Sequence, residues 1–283
     1  MYNTLIDIET LHQHIQHTEW CIIDARFSLA DTEQGRQDYQ TSHIPNALYA
    51  HLDEDLSGPI IPGTTGRHPL PKVEAAAQTF SGWGMDHDVQ VVVYDSASGS
   101  IAARLWWMLK WLGHDAVAVL DGGWPAWQAA ELPITQETSP RPARSFVPDV
   151  RPRLLTDTEH VDLYRNDSTY RVFDARTPER YRGEQEPIDP VAGHIPGAHC
   201  ASFAENITDG GRLRSPEELR RRYEQLFDGI DTEHIISYCG SGVTACHNLL
   251  AIAHAGLGDA VLYSGSWSEW ITDESRPVGT GDR

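Results

Sequence analysis

Cysteine is scarce in this chain. Four residues (Cys21, Cys200, Cys239 and Cys246) among 283 do not make a disulfide framework, and that usage predicts a reducing, cytoplasmic location. Long apolar runs are missing as well. No stretch approaches the roughly eighteen consecutive apolar residues of a membrane-spanning helix. The opening MYNTLIDIETLHQHIQ has no basic segment followed by an apolar core, so no secretion signal is expected. Positive charge is in short supply: 22 Lys and Arg against 41 Asp and Glu give a formal charge of −19. That balance argues against nucleic acid or an anionic membrane as partner, and an anionic substrate would need a local positive field. What is present, 40% hydrophobic and 22% charged residues, describes a soluble globular protein with enough chain for one large domain or two ordinary ones.

Internal repetition decides between those two. CIIDARFS at 21–28 returns as RVFDARTP at 171–178, with Asp24 and Asp174 separated by 150 residues. SHIPNALYA at 42–50 returns as GHIPGAHCA at 193–201, and DGGWPAW at 121–127 as SGSWSEW at 264–270. Three matches in one order at nearly constant spacing indicate two copies of one domain, over 1–135 and 154–283. Between them, 136–153 is rich in proline and reads as an extended linker, because pre-proline positions resist helix.

Each copy alternates strand and helix. WCIID, VQVVVYD and AVAVL in the first copy, and YRVFD, HIISYC and AVLY in the second, are short apolar runs rich in β-branched residues, hence buried strands. KVEAAAQTFSGW, GSIAARLWWMLKWLG, SPEELRRRYEQLF and GVTACHNLLAIAHAG have helical length and spacing. Gly113 suits a C-cap, and Ser215 followed by Glu218 is a capping box. The expected fold is α/β: in each copy a mostly parallel sheet with helices on both faces.

YCGSGVTACHNLL, 238–250, places Cys239 at the end of a strand, with a glycine-rich turn leading into a helix. Ligands of open α/β sheets bind beyond the carboxyl ends of strands. Gly240 and Gly242 let the turn curl so that backbone N–H groups form an anion nest beside a helix N-terminus. A sulfur held there is favoured as thiolate, the nucleophilic form.

Taken together, the doubled DAR and HIP motifs, CGSGVTAC and SGSW resemble the tandem-domain rhodanese family of sulfurtransferases. CGSGVTA is closer to the 3-mercaptopyruvate branch than to the thiosulfate branch, whose loops usually carry basic residues where this chain has Gly240 and Ser241. The resemblance implies that Cys239 takes a sulfur atom from an anionic donor and holds it as a persulfide. A second acceptor, a small thiol, thioredoxin, a protein or cyanide, then receives it. It also implies substrate-binding roles for the loop residues Gly240, Gly242, Val243 and Thr244, and no metal or organic cofactor. Aligning Tyr94 with Tyr238 puts Asp95 at the position of Cys239, so the first copy is expected to be catalytically silent. Residues shared by both copies (Asp24 and Asp174, Arg26 and Arg176, His43 and His194, the paired tryptophans) are expected to be scaffold, through a buried Asp–Arg or Asp–His pairing.

By the same resemblance Arg180, in PERYRG, holds the anionic donor, with Arg182 in support. Ile188 stands where mercaptopyruvate enzymes often have a second arginine. In that branch a histidine before x-L-P and an acidic residue upstream reach the active cysteine. His68 matches the first and Glu54 the second, with Asp53 and Asp55 close by, and with Ser241 they would relay a proton. Cys21 and Cys246 read as core, and Cys200 has no assigned place. A cysteine phosphatase would need an arginine six residues after the nucleophile, where this chain has Ala245. A non-catalytic rhodanese-like module would lack the cysteine.

Overall fold

The computed structural model describes residues 1–282, which form two compact units. The first comprises 1–58, 70–151 and 209–213; the second comprises 59–69, 152–208 and 214–283. The segment 59–69 therefore belongs with the second copy, although it lies inside the first repeat in sequence.

In the first unit the chain runs β1 (Leu5–Ile6), α1 (Ile8–His14), β2 (Trp20–Asp24), α2 (Gln34–Thr41), β3 (Ala47–Tyr49), α3 (Val73–Gly82), β4 (Gln90–Tyr94), α4 (Ala102–Trp111), β5 (Val117–Leu120) and α5 (Gly123–Ala129). Its five strands lie in the order β1-β5-β4-β2-β3, every pair parallel. The second unit repeats this with β6 (Leu155–Thr156), α6 (Thr158–Tyr164), β7 (Arg171–Asp174), α7 (Pro178–Tyr181), β8 (His199–Cys200), α8 (Pro216–Phe227), β9 (Ile235–Tyr238), α9 (Ala245–His254), β10 (Val261–Tyr263) and α10 (Ser266–Trp270). The order β6-β10-β9-β7-β8 is the same and again all parallel. The central strands are buried along their length, as continuous β-branched runs require. Gly113 follows α4 at φ +90°, and Ser215 with Glu218 closes both bonds of the capping box on α8. Among the described residues, no helix is long and apolar enough to cross a membrane.

The proline-rich stretch 136–151 has no helix or strand, as expected, but it is not a free spacer. The Arg144 backbone N–H donates to the Ser81 carbonyl, its guanidinium pairs with Glu19 and Asp86, and Phe146 is buried against Phe80. The proline constraint excludes helix; hydrogen bonds and one aromatic anchor then fasten the extended chain to the first unit.

The repeated residues build the same support twice. Arg26 bonds Asp24 at 2.6 Å and lies 4.6 Å above the Trp124 ring; Arg176 bonds Asp174 at 2.6 Å and lies 5.0 Å from the Trp267 ring. Both pairs are buried. The Tyr94 hydroxyl donates to the same carboxylate oxygen, Asp24 Oδ2, and accepts from the Ile44 N–H, while Oδ1 accepts from the Arg26 backbone N–H and Nε. Burial pushes Tyr94 and Tyr238 well above the ordinary phenol value, which keeps both neutral. Of the two pairings open to the sequence, the Asp–Arg one is built. The histidines bond backbone instead, His43 to the Tyr39 carbonyl and His194 to the Tyr181 carbonyl, each at 2.7 Å.

Candidate active site

Cys239 follows β9 directly, and α9 starts six residues later. Three hydrogen bonds fix the turn from below. The Cys239 N–H donates to Ser266 Oγ (3.1 Å), the Trp267 N–H to the Cys239 carbonyl (3.0 Å), and the Ser268 N–H to the Gly240 carbonyl (2.9 Å). Gly242 sits at φ +75°, and a Cβ there would overlap the Ser264 carbonyl, so only glycine lets the turn close. Cys239 is 2% exposed.

The first copy shows what this turn is built to hold. The Trp124 N–H donates to the Asp95 carbonyl as the Trp267 N–H does to that of Cys239, which confirms the two positions as equivalent. There the Asp95 carboxylate accepts from the N–H groups of Ala97, Gly99, Ile101 and Ala102, each at 2.8 Å. The first copy thus fills its own cradle with a carboxylate. In the second copy the N–H groups of Gly240, Ser241, Val243 and Thr244 have no acceptor among the described residues. A strand-to-helix turn with idle amides favours an anion at its centre.

His68, in the segment 59–69, is buried, and its Nδ1 lies 2.7 Å from Ser241 Oγ. The segment is held by the Arg67 N–H donating to Ser268 Oγ at 3.0 Å, so Ser268 ties the cysteine turn and this segment together. Arg180, on the short helix α7, bonds Glu186 through Nε (3.1 Å) and Nη2 (2.7 Å), and Glu186 in turn bonds Arg176 at 3.2 Å. The scaffold arginine thereby helps to aim the α7 arginine.

Two expected residues carry ion pairs of their own. Arg182 turns to Glu184, bonding both carboxylate oxygens at 2.7 and 2.9 Å, and the structure does not bring it to the turn. Glu54 belongs to the first unit; its exposed carboxylate takes Arg36 at 2.6 Å. An acidic side chain within reach of an arginine of α2 pairs locally, which sequence spacing does not reveal. Asp55 accepts from the His51 N–H, while burial raises the Asp53 carboxyl above its ordinary value. Glu54→Gln is expected to change turnover by no more than about twofold, since exposed ion pairs contribute little. Steady-state kinetics check this, and a large loss would show that Glu54 takes part in the chemistry.

Arg67 was not foreseen. Its guanidinium lies beside Gly240, as that of Arg180 does, and it bonds Asp189. Ile188, exposed at the position where an arginine was sought, instead gives its N–H to Glu186. The signal available was small: an arginine directly before His68 in RHPLP.

The other cysteines do not compete. Burial pushes Cys21, in β2, up to about 12 and Cys200 up to about 11, so both remain thiols at neutral pH. Cys246 is buried in α9 and donates to the Gly242 carbonyl at 3.3 Å.

A parallel-sheet domain duplicated in tandem, with a buried cysteine in a glycine turn of one copy and a carboxylate in the other, defines a class of group-transfer proteins. The rhodanese-like domain family matches residues 7–130 and 157–273. The chain is 47% identical over 280 residues to a probable 3-mercaptopyruvate sulfurtransferase of Pseudomonas aeruginosa, covering 98% of each. It is 39% identical to a putative thiosulfate sulfurtransferase of Mycobacterium tuberculosis, over 92% of this chain and 90% of that one. Among solved structures, 3-mercaptopyruvate sulfurtransferase from Leishmania major superposes with a TM-score of 0.83 at 32% identity, over 95% of this chain and 74% of that one. The chain belongs to the rhodanese-like family, as an enzyme of its sulfurtransferase class.

Proposed function

We propose that Cys239 of the second copy carries sulfur from 3-mercaptopyruvate to a thiol acceptor, and that the first copy is catalytically silent. The Cys239 thiolate attacks the donor sulfur. The new S–S bond forms as the C–S bond breaks, and the electrons of that bond leave on carbon as the pyruvate enolate. The enolate takes a proton at carbon to become pyruvate. An acceptor thiolate then attacks the outer sulfur of the persulfide, and Cys239 leaves as thiolate. The idle amides of the turn stabilise sulfur in its anionic form, and Arg180 holds the donor's carboxylate. A small thiol or thioredoxin is the expected acceptor, with cyanide as a laboratory substitute, in a cytoplasmic setting that keeps the cysteines reduced.

One observation carries the choice of donor: the 2.7 Å contact between His68 Nδ1 and Ser241 Oγ beside the nucleophile. A hydroxyl backed by an imidazole can deliver the proton that a carbon leaving group needs. Sulfite leaving from thiosulfate needs none. The rival reading, thiosulfate as donor, draws on the two guanidinium groups beside Gly240, which would also suit a dianion. Side-by-side kinetics decide. The expected result is a higher kcat/KM for 3-mercaptopyruvate than for thiosulfate, and the reverse order would overturn this donor.

A further inference from the structure

The cysteine turn is flanked by an arrangement that Arg180 alone does not account for. A side chain grown on Gly240 would come within 2.9 Å of Arg67 Nη2 and within 3.5 and 3.7 Å of Arg180 Nη2 and Nη1. Two guanidinium groups therefore face one bare stretch of backbone next to Cys239. Both are steered by one buried carboxylate: Asp189 bonds Arg67 through Oδ1 and Arg180 through Oδ2, the latter at 3.3 Å. Glu186 occupies Nε and Nη2 of Arg180. Arg180 Nη1 and Arg67 Nη2 are left with no hydrogen-bond partner among the described residues, and Arg67 Nε is buried without one.

Arginine cannot shed its charge to relieve such a position, so idle donors there call for an anion. Burial does pull the Arg67 guanidinium below its ordinary value, a cost that a bound anion would offset. If Arg67 served only to balance Asp189, Arg180 and Arg67 would not need to share that carboxylate while each kept a nitrogen toward Gly240.

We propose that Arg67 is a second anchor for the sulfur donor. Its Nη2 and Arg180 Nη1 together grip the donor's carboxylate over Gly240, and so present the donor sulfur to Cys239. The donor named here rests on the function proposed above. Because the two arginines come from separate segments, 59–69 and α7, both must be in place before the donor is held by two prongs.

The test uses the full chain. Arg67→Ala, Arg67→Met and Arg180→Ala are compared with wild type for KM and kcat on 3-mercaptopyruvate. In parallel, pyruvate, which keeps the carboxylate but has no sulfur to give, is titrated calorimetrically into Cys239→Ser with and without each arginine. Loss of Arg67 is expected to raise KM and weaken pyruvate binding by about 10-fold or more, with kcat within about threefold, as for one charge-assisted contact. Loss of Arg180 should do the same. Arg67→Met keeps the aliphatic stem, so it carries the test if the alanine protein does not fold. A KM and a pyruvate affinity within about twofold of wild type for the Arg67 variants, with Arg180→Ala impaired, would overturn the anchor and leave Arg67 as a partner of Asp189. If wild type uses thiosulfate alone, the donor reading fails; the anchor then stands only if the same variants raise the thiosulfate KM by that factor.

Discussion

Cys239→Ser is expected to abolish sulfur transfer while leaving the fold in place. Serine fits a site that is already small and 2% exposed, and a hydroxyl is a far weaker nucleophile toward sulfur than a cysteine and cannot form a persulfide. Turnover should fall by roughly a thousandfold or more, with thermal unfolding and circular dichroism near wild type. Cys246→Ser should keep activity, because a hydroxyl can still donate to the Gly242 carbonyl as the thiol does. Cys21→Ser should act only through stability, since it puts a hydroxyl into a strand core. Substantial turnover by Cys239→Ser, or its loss in Cys246→Ser without unfolding, would move the nucleophile.

The second large effect is expected at His68. Alanine there removes the group 2.7 Å from Ser241 Oγ and leaves a buried hydroxyl without its partner. If the pair delivers the proton to the enolate, kcat on 3-mercaptopyruvate should drop by about a hundredfold or more, the usual scale of general acid catalysis. Thiosulfate turnover should fall far less, because sulfite leaves as an anion. The ratio between donors is the informative quantity. An equal loss on both would show that His68 positions the turn rather than moving a proton.

Much of this was legible in the sequence, for a physical reason. Duplication turns one fold problem into two noisy copies of the same answer. The central strands, buried on both faces, announce themselves as β-branched runs such as QVVVY and IISY. The edge strands Leu5–Ile6, Leu155–Thr156 and His199–Cys200 span two residues each, too few for any periodicity, and they escaped notice. The cysteine turn was legible because glycine spacing, strand end and helix start converge on six residues. Its surroundings were less so. His68 and Ser241 stand 173 residues apart, and only the resemblance joined them. Arg67 carries little signal because it arrives on a segment that leaves its own repeat to join the other unit. Glu54 and Arg182 each have an ion partner close by, Arg36 and Glu184, and spacing alone does not show such pairings. The doubled residues Asp24 with Arg26 and Asp174 with Arg176 form matching buried pairs, as structural supports common to both copies would.

The central claim is that Cys239 carries sulfur covalently, and mass spectrometry of the protein treated with 3-mercaptopyruvate in the absence of an acceptor tests it most directly. The account predicts that the intact chain gains the mass of one sulfur atom, that the gain maps to the peptide containing Cys239, and that an added thiol removes it. No gain under conditions of turnover, or a gain on Cys21, Cys200 or Cys246 instead, would contradict it.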